Sequence, residues 1–275
     1  MALIVTCITP GGVGDVDDTQ VMRAGSTATI VPGSATPAQS ARQRVTLLGG
    51  FGLTVDGRSV TVPVSTQRII SVLALRGRCG RSRLAGSLRP ETTELRALAS
   101  LRTAIWRSNQ VAPGLVVTAH DSVELSAAAE VDVTSLVNVA HDVLDGRATG
   151  LPDAPGLGHV DVDLLPDWHD DWLVIDRERL RQLRLHVLEA LAEQLATRSM
   201  FGLAMEAALA ALRGDALRES AHRAVIRIHL AEGTLAEARH AYERRCEVLD
   251  REIGAAPSAA TVQLARGWSR PALRR

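Results

Sequence analysis

Residues 90–110 read PETTELRALASLRTAIWRSNQ. On a wheel of 100° per residue with Arg96 at zero, Leu98, Leu101 and Ile105 fall at about 200°, 140° and 180°. Arg96, Ser100, Thr103 and Arg107 fall at about 0°, 40°, −20° and 20°. One face is apolar, and the other holds two long cations and two small hydroxyls. Thr92 or Thr93 can cap the start, and Glu91 and Glu94 suit the positive N-terminal end of the helix. Alone, the segment reads as an amphipathic helix with a solvated polar face. Its neighbours decide its use.

Upstream, RVTLLGGFGLTVDGRSVTVP (44–63) is rich in strand formers, with Asp56–Gly57 as a two-residue hairpin turn. STQRIISVLALRG (65–77) predicts a first helix closed by Gly77. RSRLAGSLRP (81–90) predicts a short second helix, started near Ser82 and stopped by Pro90. Downstream, GLVVTAHDSVELS (114–126) reads as a hairpin around His120–Asp121–Ser122. Strand hairpin, three helices, strand hairpin is the order of a winged helix with an N-terminal sheet. In that architecture the third helix enters the major groove and the wing lies on the backbone.

Charge supports the assignment. The 275 residues hold 31 basic side chains, all arginine, and 31 acids, so the net charge is zero. Its distribution is uneven. From Ser65 to Gln110 stand Arg68, Arg76, Arg78, Arg81, Arg83, Arg89, Arg96, Arg102 and Arg107 against Glu91 and Glu94, and nine minus two is +7. From Val111 to Leu180 three arginines face fourteen acids. A basic block beside an acidic one predicts a polyanion-binding module joined to a module with another task.

The second module is helical. DVTSLVNVAHDVLDG predicts a helix capped at Asp132 and closed by Gly146, and a Gly/Pro-rich loop follows. DWLVIDRERLRQLRLHVLEALAEQLATRS predicts a long amphipathic helix, with two more helical pairs after it. Phe201 and Leu235, Leu191 and Val225, Ala204 and Ala238, and Ala207 and Ala241 each lie 34 positions apart. That is the tetratricopeptide period, with small residues where helices pack closely. The fold class expected is mainly α and multidomain: a winged helix-turn-helix (α+β), then an all-α tetratricopeptide-like domain. The boundaries expected are an arm at 1–43, the winged helix at 44–130, the helical domain at 131–265 and a tail at 266–275. At 46% hydrophobic and 3% aromatic, the cores must be built from Leu, Val, Ile and Ala.

Cys7, Cys79 and Cys246 frame neither a disulfide network nor a metal site. No apolar run reaches ~20 residues, and MALIVTCITP lacks a basic n-region, so neither a membrane span nor a signal peptide is expected. PDWHDDW (166–172) gathers Asp167, His169, Asp170 and Asp171. Consecutive acids at a helix start fit the helix dipole better than a metal. Trp168 and Trp172 are expected to anchor packing, and Trp106 to pack under the wing. Arg177, Arg179, Arg181 and Arg184 are expected to form a solvated helix face. No catalytic set, cofactor motif or P-loop is present.

LLGGFGLTVDGRSVTVP, QRIISVLALRG, RSRLAGSLRPE, ALASLRTAIWR, LLPDWHDDWLVIDRERLRQLRLHVLEALAE and LRESAHRAVIRIHLAEGTLAEARHAYERRCEVLDREIGAAPS, in that order, resemble the Streptomyces antibiotic regulatory protein family. The likeness spans roughly residues 44–265. It implies an OmpR-like winged helix followed by a bacterial transcriptional activator domain. Leu88-Arg89-Pro90 departs from the Leu-Trp-Pro usual at the second helix, and the basic run after the third helix is shorter. The resemblance implies a non-enzymatic, cytoplasmic, nucleoid-associated activator. It would bind promoter DNA as a homodimer on direct repeats, recruit RNA polymerase holoenzyme and control an antibiotic cluster. Arg96, Ser100, Thr103 and Arg107 are the expected base-side residues, with Arg81, Arg83, Arg102 and the wing on the backbone. The alternative is a tetratricopeptide-like interaction module with a degenerate winged helix.

Overall fold

The computed structural model describes residues 41–147, 162–266 and 268. Strand β1 (Gln43–Thr46) runs antiparallel to β2 (Gly52–Val55), which pairs with β3 (Arg58–Ser59). Asp56 and Gly57 both take positive φ, 50° and 78°, as a tight two-residue hairpin requires. The sheet is completed by β7 (Glu130–Val131), parallel to β1, a strand too short for its pattern to show in the sequence. β1 begins one residue inside the stretch expected to be an arm. Gln43 is buried, and its side-chain amide donates to the Pro113 carbonyl at 2.8 Å, so a polar residue is held inside by a partner 70 positions away.

Helix α1 (Val64–Arg76) follows Pro63 and buries Ile69, Ile70, Val72 and Leu73. A short strand β4 (Cys79–Gly80) leads into α2 (Arg81–Leu88), then α3 (Glu94–Val111). The wing is β5 (Val116–Ala119) and β6 (Ser122–Leu125), with β6 also paired to β4. His120 turns the tip at φ 49°. Asn109 clamps the wing to α3: its amide donates to the Val116 carbonyl at 2.9 Å and its oxygen accepts the Val116 N–H at 3.1 Å.

Helix α4 (Asp132–Leu144) begins at Asp132 itself, with Val131 at the N-cap and no side-chain cap, so Asp132 is not the cap expected but a tether. Its carboxylate accepts the N–H groups of Leu47 and Leu48 at 2.8 and 2.9 Å as well as that of Val133, tying α4 to the end of β1. After a 3-10 turn at Asp171–Leu173 come α5 (Val174–Thr197), α6 (Phe201–Gly214), α7 (Glu219–Glu232), α8 (Leu235–Ile253) and α9 (Ala259–Arg266). α6 and α8 start 34 residues apart. Ala204 and Ala238 are both fully buried, and Ala207 and Ala241 nearly so, as the repeat requires.

The core does not break at residue 131. Leu164, Leu165, Leu173 and Leu180 belong to the same apolar cluster as the winged helix, whereas Leu185 to Leu195 pack with α6 and α7. α5 is thus one helix with its first turns in one core and its remainder in the next. Residues 162–176 fasten this arrangement. Leu165 N–H donates to the Leu47 carbonyl and Gly49 N–H to that of Asp163. Trp168 stacks on Phe51 at 6.4 Å and meets Trp172 edge-on at 6.5 Å, so both tryptophans are packing anchors.

Candidate nucleic-acid interface

Thr93 stands at the N-cap of α3 without a side-chain hydrogen bond, and Thr92 instead donates to the Arg89 carbonyl. Neither threonine caps the helix as expected; the helix start is stabilised by its extended entry and by Glu94 in the first turn. Buried on α3 are Ala97, Leu101, Ala104, Ile105 and Ser108, with Leu98 only half-buried. Their wheel positions centre near 120°, about 50° from the Leu98–Leu101–Ile105 stripe. The shift arises because two alanines and a serine let α3 approach α1 and α2 closely. Small residues carry little weight in a hydrophobic pattern, so the wheel underestimates them.

The exposed face is turned accordingly, to about −60°. Arg96, Arg102, Thr103 and Arg107 are exposed on it. Ser100, at the other edge, is half-buried and lines a small groove with Ser65, Arg68, Leu88 and Arg89. Thr103 donates its hydroxyl to the Ala99 carbonyl at 3.1 Å, so that hydroxyl is left only as an acceptor. Trp106 is 61% exposed, so it does not pack under the wing; the wing is held by Asn109 instead. Leu95 and Ala99, apolar and so without weight in a pattern of cations and hydroxyls, also lie on the open face.

Around α3, Arg83 is exposed on α2 and Arg81 is half-buried, its backbone N–H bonded to Asp121 at the wing tip. Arg78 is exposed and donates to the Ser122 hydroxyl at 2.9 Å. Two arginines of the basic block are spent elsewhere. Arg68 pairs with Asp170 at 3.1 Å. Arg76 meets Asp176 at 3.2 Å, donates to the Trp172 carbonyl at 2.6 Å and lies over the Trp172 ring. Nine less these two leaves seven cations beside Glu91 and Glu94, still a strongly basic surface.

The arginines of α5 are not the solvated face expected. Arg177 donates to the carbonyls of Leu164, Leu165 and Trp168, and Arg184 is buried and donates to that of Val162. Arg181 pairs with Glu178 and Asp215; its guanidinium, by hydrogen bonding, holds the Glu178 carboxyl down to about 2. Arg179 alone of the four stays exposed, with no side-chain bond among the described residues. Each buried guanidinium satisfies carbonyls of a loop that has no regular partner strand, which wheel positions cannot reveal. Among the described residues no cluster of His, Cys, Asp and Glu could hold a metal. No helix among them is long and apolar enough to cross a membrane.

No curated protein matches the sequence. A solved structure of Mycobacterium tuberculosis EmbR, in complex with a low affinity phosphopeptide, shares the fold with a TM-score of 0.61 at 18% identity, over 82% of this chain and 64% of that one. The chain therefore spans just under two thirds of the EmbR chain. Residues 147–267 match the model of the bacterial transcriptional activator domain. The helical half of the chain thus carries the match to the bacterial transcriptional activator domain, and the chain shares its fold, a winged helix followed by that domain, with EmbR.

Proposed function

We propose that the chain binds promoter DNA sequence-specifically through α3 and activates transcription by recruiting RNA polymerase holoenzyme. The observation that carries this reading is the open basic face of α3. Among the described residues Arg96, Arg102, Thr103 and Arg107 project there without an ion-pair partner, beside a wing clamped to the same helix. Arg81 and Arg83 sit where backbone phosphates would pass. Ser100, half-buried at the edge of the face, serves best as a close-approach position. On direct repeats the chain would act as a homodimer, in the cytoplasm on the nucleoid, on the promoters of an antibiotic biosynthetic cluster.

Mobility-shift and footprinting assays on promoters neighbouring the gene test this directly. Protected direct repeats are expected. A chain that protects no promoter, yet captures protein partners through its helical repeat, would instead be an interaction module with a degenerate winged helix.

A further inference from the structure

The open half of α3 holds more than cations. Leu95 is 81% exposed and Trp106 is 61% exposed. With Ala99 they fall at about −100°, −80° and −60° on the wheel, in one line about 16 Å long. Arg102, at about −120°, borders that line on one side, and Arg96 and Arg107, at about 0° and 20°, flank it on the other. The one acid on α3, Glu94, lies on the far side at about 160°. An apolar strip bordered by arginines suits an anionic partner with apolar points along its middle. The major groove of B-DNA has that chemistry: phosphates on both rims, and on its floor the 5-methyl group of each thymine.

We propose that Leu95 and Ala99 read thymine methyl groups, so the site chosen by this chain has thymines at fixed positions under the first two turns of α3. This rests on α3 being the DNA-reading helix. The N-terminal part of such a helix lies deepest in the groove, which puts Leu95 and Ala99 over bases and Trp106 nearer the backbone. The polar alternatives on these turns are few. Thr103 has its hydroxyl proton engaged with the Ala99 carbonyl, and Ser100 is half-buried. Arg96 remains as the free donor, suited to guanine, and the neighbouring positions are left to methyl contacts.

The test uses the full-length chain and a randomised duplex library. Selected duplexes are resynthesised with deoxyuridine in place of each thymidine in turn, which deletes one methyl and leaves base pairing intact. Loss of about three- to fivefold in affinity at one or two positions is expected, the value of one buried methyl. Leu95→Ala should bind the thymidine and deoxyuridine duplexes alike at one of those positions; the side chain is exposed and alanine favours helix, so folding is preserved. If the library yields a preferred sequence but deoxyuridine is tolerated everywhere, the methyl reading is overturned while DNA recognition stands. If Leu95→Ala weakens all duplexes equally, or changes the oligomeric state instead, the methyl reading is likewise overturned. If no sequence is enriched, both it and the proposed function fail.

Discussion

Arg96 and Arg107 share a face of α3 but lie eleven residues, about 16 Å, apart, so they cannot serve one base pair. Arg96→Ala should cost about 1–3 kcal/mol on the preferred duplex and relax selection at one or two positions. Arg107→Ala should weaken preferred and scrambled duplexes alike and reduce the salt slope by about one. Isotherms on both duplexes check the pair; equal losses for Arg96→Ala would remove it from base reading. Arg76 is expected to behave differently although it belongs to the same basic block. Its guanidinium joins the Asp176 carboxylate and the Trp172 carbonyl, with Asp176 buried. Arg76→Ala should lower stability by about 1–3 kcal/mol in denaturant unfolding and leave the salt slope of DNA binding unchanged. Charge counting cannot separate these two kinds of arginine. The partner of Arg76 is 100 positions away, so only the fold reveals which cations are free.

At the scale of the element, periodicity gave α3 its length and type, and the wing and α1 likewise follow from their patterns. Where it erred, the cause was side-chain size. Ala97, Ala104 and Ser108 are the close-packing positions, and hydrophobicity alone ranks them below Leu98. Leu101 is common to both assignments and is buried; Leu101→Ala should cost about 2–5 kcal/mol, read as a fall in denaturation midpoint. Helix α7 holds a histidine whose burial links stability to pH. His222 is half-buried, and its Nε2 lies 3.0 Å from the Ala216 carbonyl. Burial, and then the nearby Arg245 charge, hold its pKa below the usual 6.5 despite that hydrogen bond. The unfolded chain therefore binds the proton more readily. Stability should be full above about pH 6.5 and fall as the pH drops below it. Melting curves between pH 7 and 5 should show this decline, and His222→Gln should flatten it.

Over the whole molecule, the two modules legible as a basic block and a helical repeat meet in one shared helix. The 34-residue period located α6 and α8 correctly because alanines recur at a fixed spacing. The attachment of residues 162–180 to the winged helix was not legible, since it depends on backbone bonds of Leu165 to Leu47 and of Gly49 to Asp163, on the Arg68–Asp170 ion pair and on Phe51 meeting Trp168. A fragment ending at residue 130 leaves behind Leu164, Leu165, Leu173 and Leu180, all buried in the winged-helix core. Such a fragment should melt well below the full chain in calorimetry, whereas one extended through α5 should regain much of the loss. The α3 face and its surrounding arginines are read out together by the salt dependence of DNA binding. If about four to six phosphates are neutralised, log affinity should fall against log salt with a slope near −4 to −5. A flat salt response would contradict the assignment of this basic face to DNA.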